Sequence, residues 1–167
     1  MNDVQGSSTF TTPSSGGSAL RQLGIVPFAV ALGCYLLPFM SIGGFLGLTE
    51  GVAVNGLNLL LGGNVTLASG QSVHTDGEPV IMLAAALTLG SLFTAGFAKY
   101  VPAAIVTAAA IGALGYFRIA LLGEVRKQFG MMVQVEMGIG WNLAMLCLLV
   151  GLGLIAILKL RSAAPRQ

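Results

Sequence analysis

The sequence predicts an all-α membrane protein, a four-transmembrane-helix bundle with a small extracytoplasmic antiparallel β-cap. Three observations lead there. Of 167 residues, 55% are hydrophobic and only 8% charged, with mean hydropathy +0.87, whereas a soluble domain carries about 25% charge. Four windows free of charge reach the roughly 20 apolar residues that cross a hydrocarbon core: Arg21 to Glu50, Glu78 to Lys99, Lys99 to Arg118 and Glu136 to Lys159. The stretches between them are rich in turn residues and alternate apolar with polar side chains, as short strands do.

Residues 1–20 are mostly Ser, Thr and Gly, with Pro13 and few bulky apolar groups. Such a segment cannot bury enough surface to offset its ordering entropy, and a disordered cytoplasmic tail is expected. The rival, the start of a cleaved signal peptide, fits poorly. The apolar stretch is too long, and Gly43-Gly44-Phe45 is a weak cleavage site. The membrane domain then covers 21–162, with spans at 24–42, 80–98, 101–122 and 139–160 and a short tail at 163–167. Pro38 is placed to kink or end the first helix before Gly43 and Gly44.

Lipid gives helices no hydrophobic reason to associate, so small residues must bring them together. The second span carries Ala86, Gly90 and Thr94, and the third Ala104, Ala108 and Gly112. The first has Ala29 and Gly33, and the fourth Gly140, Ala144 and Gly151. Seams inside one bundle are the expectation, a homodimer face the alternative. The short link at Lys99, Tyr100 and Val101, with Pro102 in the next first turn, predicts a tight antiparallel hairpin of spans two and three. Tyr100 at one boundary, and Phe39, Phe45, Tyr116, Phe117 and Trp141 at the other, read as an aromatic belt.

Lys and Arg placement sets orientation. With both termini in the cytoplasm, Arg21, Lys99, Lys159, Arg161 and Arg166 lie inside, against Arg118, Arg126 and Lys127 outside. The outer loops are then 43–79 and 123–138. In the first, Val52-Ala53-Val54 leads into Asn55-Gly56, a strong hairpin signal. Leu57-Asn58-Leu59, the turn Gly62-Gly63-Asn64 and Val65-Thr66-Leu67 complete an expected three-stranded meander before Ser69-Gly70, with a short helix at Leu57 to Leu61 as the rival. In the second loop Val133, Val135 and Met137 alternate with Gln134 and Glu136, a strand that could join the first, and Gly138 and Gly140 turn the chain into the last span.

This layout resembles the claudin-like tetraspan arrangement, shared by small bacterial membrane proteins of unassigned function. The residues that carry the resemblance are Leu37-Pro38-Phe39, Leu48-Thr49-Glu50-Gly51 and Gly56-Leu57-Asn58-Leu59. It implies a β-rich first outer loop with one further strand before the last helix. The chain lacks the paired loop cysteines and loop tryptophan of true claudins, so a junction or channel role does not transfer.

Few residues suggest chemistry. Cys34 and Cys147 are the only cysteines, both near mid-span, and could face each other if the first and last helices are neighbours. An apolar setting disfavours the thiolate that redox work needs. His74, Asp76 and Glu78 alternate and would share a face in an extended chain, making them weak metal-ligand candidates against the reading of a solvated loop. Arg118 is the one charge close to the body of a span, and is expected to snorkel or to pair with Glu50 or Glu136 as a structural ion pair. Asn64-Val65-Thr66 matches a glycosylation sequon by pattern. No Ser-His-Asp set or phosphate-cradling motif occurs, and the spans hold no carboxylate for proton coupling.

The expectation is therefore a protein that is not an enzyme, uses no cofactor and binds no nucleic acid, since a net charge of +2 offers no electrostatic footing. It lies in the cell membrane, in contact with the lipid bilayer, and meets a membrane protein partner or forms a homo-oligomer through an apolar cap surface at Leu57, Leu59, Leu60 and Leu61. The alternative is a small transporter or lipid-handling component, lined by Thr88, Ser91, Thr94, Thr107 and Asn142.

Overall fold

The computed structural model describes residues 16–43, 52–66, 72–129 and 134–163. In chain order these form helix α1 (Gly16–Gly33), a 3-10 turn (Cys34–Leu36), strands β1 (Pro38–Gly43) and β2 (Val52–Asn55), and the short helix α2 (Gly56–Leu61). Strands β3 (Gly63–Thr66) and β4 (Ser72–Thr75) follow, then α3 (Pro79–Gly96), α4 (Tyr100–Phe129), β5 (Gln134–Met137) and α5 (Ile139–Ala163). The chain is mostly helical. Helices α3, α4 and α5 are long and apolar enough to cross a membrane, and the apolar stretch of the first helix, Gly24–Leu36, is shorter.

The first expected span, 24–42, is thus cut in two. Leu37 is extended, with φ −88° and ψ 163°, because the ring of a following proline clashes with a helical conformation there. Pro38 also lacks the N–H that a continuing helix would use. The last part of the window becomes β1. At its other end α1 begins at Gly16, inside the segment read as a tail.

Strand β1 is the centre of a three-stranded antiparallel sheet of order β2-β1-β5, and β3 and β4 form a separate hairpin. Met40, Ser41 and Ile42 pair with Val54, Ala53 and Val52 on one edge, and with Met137, Glu136 and Val135 on the other. The strand expected before the last helix therefore joins the first-loop strands. The three-stranded meander within that loop is corrected: the Leu57-Asn58-Leu59 run is helical, and its place in the sheet is taken by β1.

The glycine of Asn55-Gly56 also does a different job from the one expected. A Cβ on Gly56 would lie 2.7 Å from the Phe39 ring and 2.8 Å from the Tyr35 carbonyl oxygen. Glycine is required by close approach, and Asn55, with φ −74°, leads straight into α2. The reversal comes later, at Gly62, where φ is 75°.

The long helices close a ring: α1 packs on α3 and α5, and α4 packs on the same two, with α3–α4 the most extensive pair. The predicted hairpin of these two helices is present. Its turn carries Ala98 at φ 56°. The Lys99 N–H donates to the Thr94 carbonyl and the Ala98 N–H to that of Ala95, both at 3.0 Å, the bonding of a Schellman cap.

Each long helix buries one stripe at three- and four-residue spacing. On α3 it is Ile81, Ala84, Thr88, Ser91 and Ala95, and on α4 Ala103, Thr107, Ala110, Leu114 and Phe117. On α5 it is Trp141, Ala144, Leu148 and Ile155. The opposite faces expose large apolar groups such as Leu83, Phe93, Ile105, Ile119 and Leu146, as a lipid-facing surface does.

The fourth-span seam of Gly140, Ala144 and Gly151 falls in the core, where Gly151 admits the Phe28 ring: a Cβ there would lie 2.7 Å from it. The third-span seam does not. Ala108 is exposed and Gly112 faces open space, and in the first span Ala29 and Gly33 also point away from the bundle. Small residues occur on every face of these helices, so spacing alone does not pick the buried one. The aromatic belt is corrected in the same way. Phe39, Phe117 and Trp141 are buried in the core, and Tyr116 alone of the described residues named for that boundary is well exposed. Phe45 lies outside the described residues.

Two glycine substitutions should act in opposite directions. A Cβ at Gly140 would meet the carbonyl oxygens of Cys34 at 2.8 Å and Leu37 at 3.0 Å. Gly140→Ala is expected to lower stability by about 1–3 kcal/mol through overpacking. Gly112→Ala should raise it by roughly 0.5–1 kcal/mol through helix propensity. Unfolding midpoints in mild detergent check both.

Candidate interaction surface on the cap

Helix α2 divides its leucines. Leu59 is 6% exposed and Leu60 is half-buried against the core, whereas Leu57 is 39% and Leu61 70% exposed. The inner pair anchors α2 to the segment entering α3. The Glu78 N–H donates to the Leu59 carbonyl at 2.6 Å, and a Cβ on Gly77 would lie 2.9 Å from the Leu60 oxygen. Of the four residues expected at the surface, Leu57 and Leu61 hold that position. They stand four apart, one helical turn, on one face. Leu59 is core and Leu60 packs partly buried against it: the loop folds as a helix, so every second leucine does not share a side as it would in a strand.

His74, Asp76 and Glu78 do not converge. His74 Nε2 lies 4.0 Å from Asp76 Oδ1, with both side chains largely exposed. The other ring nitrogen, Nδ1, is 3.1 Å from Oδ1 of Asn64, its cross-strand neighbour on β3. Glu78 is set apart at the entrance to α3, and no group of three metal-ligating residues forms among the described residues. Asn64, of the sequon, is exposed.

Of the ion pairs expected at Arg118, the one with Glu136 is not seen, and the guanidinium makes another contact. It lies over the Trp141 ring, 5.3 Å from the centroid. Glu136 is exposed on β5, opposite Ser41, and Glu50 lies outside the described residues. Trp141 is fixed from below by its indole N–H, which donates to the Leu114 carbonyl at 3.3 Å. Arg118 follows Leu114 by one helical turn, so the carbonyl takes the indole N–H and the cation the ring of the same side chain. A tryptophan near the end of a span reads as a belt residue in sequence, which is why its role as a platform was missed.

The hydroxyls proposed as a polar lining are used within the bundle. Thr88 donates to Ala84 at 2.8 Å and Thr94 approaches the Gly90 carbonyl at 2.8 Å. Thr107 Oγ1 lies 3.0 Å from Ser91 Oγ, joining α4 to α3. Each of these two hydroxyls has one proton and also reaches a carbonyl, Leu87 for Ser91 at 3.0 Å and Ala103 for Thr107 at 2.7 Å. The bridge therefore uses one of these protons: Thr107 donates to Ser91 while Ser91 donates to Leu87, or Ser91 donates to Thr107 while Thr107 donates to Ala103. The Tyr35 hydroxyl, buried toward Thr88, falls outside hydrogen-bonding geometry among the described residues. Asn142 is exposed and donates to the Met137 and Gly138 carbonyls. Cys34 lies in the 3-10 turn beyond the end of α1 rather than at mid-span as expected, and faces Cys147 of α5; both are free thiols.

No family model matches this chain, and no curated protein matches it either. The geometry of the cap and bundle therefore carries the functional reading alone.

The Ser91–Thr107 bridge makes a quantitative expectation. Thr107→Val keeps the shape and removes the hydroxyl, and should lower the stability of the folded bundle by about 0.6 kcal/mol, the average for an interhelical side-chain bond in lipid. A double-mutant cycle with Ser91→Ala measures the pair.

Proposed function

We propose that this is a non-enzymatic integral membrane protein, an interaction or accessory subunit that works through its β-cap. The observation that carries the reading is the outward Leu57 and Leu61 pair on a helix whose other leucines are anchored. Solvent-facing leucines on a rigid element are a site for an apolar surface of another protein. The occupant is a membrane protein partner or a second copy of this chain.

The same proposal takes the first helix as a fourth span beside α3, α4 and α5. The apolar stretch Gly24–Leu36 is shorter than the other three, but α1 packs on both α3 and α5 as a member of the ring, which supports a fourth crossing. A sheet that draws β5 from just before the last helix onto first-loop strands supports the claudin-like resemblance. The same reading places the protein in the cell membrane with both termini cytoplasmic and the cap outside. The transporter alternative gains no support from hydroxyls already bonded to their own helices.

In-cell photocrosslinking tests the cap. A crosslinker at Leu61 or Leu57 should trap a partner membrane protein or a second copy, and one at the buried Leu59 should not. Adducts with lipid alone, together with a bare monomer from purification in mild detergent, would overturn the proposal. Orientation is tested separately: a tag placed beyond Arg166 should resist protease added to intact cells, and cleavage would put the cap on the cytosolic face.

A further inference from the structure

We infer that Arg118 and Trp141 form a binding site for the phosphodiester of an anionic phospholipid in the leaflet on the cap side. Arg118 follows Tyr100 by about 27 Å of helix rise at 1.5 Å per residue. With Tyr100 at the opposite boundary, the guanidinium stands where the hydrocarbon core ends, at the depth of lipid phosphates. It is exposed. Among the described residues no carboxylate lies within ion-pair distance of it and no acceptor takes its N–H groups. The nearest ordered partner is the Trp141 ring at 5.3 Å.

That arrangement prepares the guanidinium for an anion. Trp141 is buried to 6% exposure and held by the Leu114 carbonyl, so the ring is a fixed platform. The contact reduces the freedom of a long side chain, and among the described residues no acceptor takes the N–H donors of its planar fork. The fork matches two oxygens of a phosphate. Trp141 is also in the first turn of α5, which begins at Ile139, so the positive end of a 25-residue helix dipole adds to the same field. The lipid tails would lie along the exposed apolar faces, Tyr116 and Ile119 of α4 among them. A free phosphate offers the same head chemistry without that contact.

This inference rests on the membrane reading and not on the cap contact. Full-length protein is reconstituted in nanodiscs of phosphatidylcholine with a fraction of phosphatidylglycerol, then released for native mass spectrometry. Wild type should retain one phosphatidylglycerol in preference to phosphatidylcholine. Arg118→Gln should weaken that retention about tenfold, the size of one charge-assisted hydrogen bond. Arg118→Lys keeps the charge without the fork and should fall in between, which reads the site even if the glutamine variant fails to fold. Equal retention by wild type and both variants would overturn the inference, as would displacement of the lipid by millimolar inorganic phosphate. A tenfold gain on Glu50→Gln would also overturn it, by showing that a carboxylate of the chain already fills the site. Failure of the protein to enter nanodiscs at all would instead count against the membrane reading.

Discussion

The structure depends on how the chain leaves its first helix. At Leu37 to Phe39 a helix becomes a strand within three residues, and three glycines make room for it. Gly56 faces the Phe39 ring and the Tyr35 carbonyl, Gly138 lies against the Pro38 carbonyl, and Gly140 lies against Cys34, Leu37 and the Phe39 ring. Two backbone bonds fix the crossing: Gly56 N–H donates to Leu37 O at 3.2 Å, and Gly138 N–H to Phe39 O at 2.8 Å. The register of β1 against β2 slips between Pro38 and Met40, so Phe39 is the extra residue of a bulge. That bulge turns a side chain with no exposure into the core, where it stacks on Tyr35 with centroids 4.8 Å apart. Backbone from α2 and from the start of α5 is thereby held to the end of α1, and cap and bundle share one core.

This constraint explains what could be read from sequence and what could not. Helices α3, α4 and α5 were legible because charge-free length is a direct physical requirement for crossing lipid. The α3–α4 hairpin was legible because its link is too short for any other path. Strand β5 was legible from the alternation around Val135 and Met137. The end of α1 was half-legible: Pro38 marked it, but the apolar character of Phe39, Met40 and Ile42 suits a central strand as well as a span, and hydropathy does not separate the two. Asn55-Gly56 was misread because a hairpin needs glycine for its dihedral angles, while here glycine is needed for space, and only the partner Phe39, distant in sequence, reveals that.

The candidate surface was legible in kind and not in detail. A leucine-rich loop pointed to an apolar patch, but strand periodicity would have placed Leu57, Leu59 and Leu61 together. Helical periodicity separates Leu59 from the other two. Arg118 stood out in the sequence as the charge nearest the body of a span. Its partner was sought among carboxylates because charge pairing is the obvious solution in one dimension, whereas the fold supplies an indole from the neighbouring helix.

The polar groups between the helices show how the bundle tolerates them. Thr88, Ser91 and Thr107 are fully buried, in a region where an unsatisfied hydroxyl is costly. Each lies four residues after a carbonyl of its own helix that it can reach, so none needs a partner from another segment to remain buried. The Ser91–Thr107 contact is therefore an exchange: the hydroxyl that donates across the seam gives up the bond to its own helix carbonyl. The contact aligns α3 with α4 without obliging either helix to be polar on its surface. At the cap end, Trp141 applies the same rule with a donor: Leu114 O meets the indole N–H at 3.3 Å, and the ring is left free to carry a cation. The two ends of the α4 seam thus differ in what they expose. The hydroxyl pair is closed within the bundle, whereas the arginine on its aromatic platform has no carboxylate partner among the described residues.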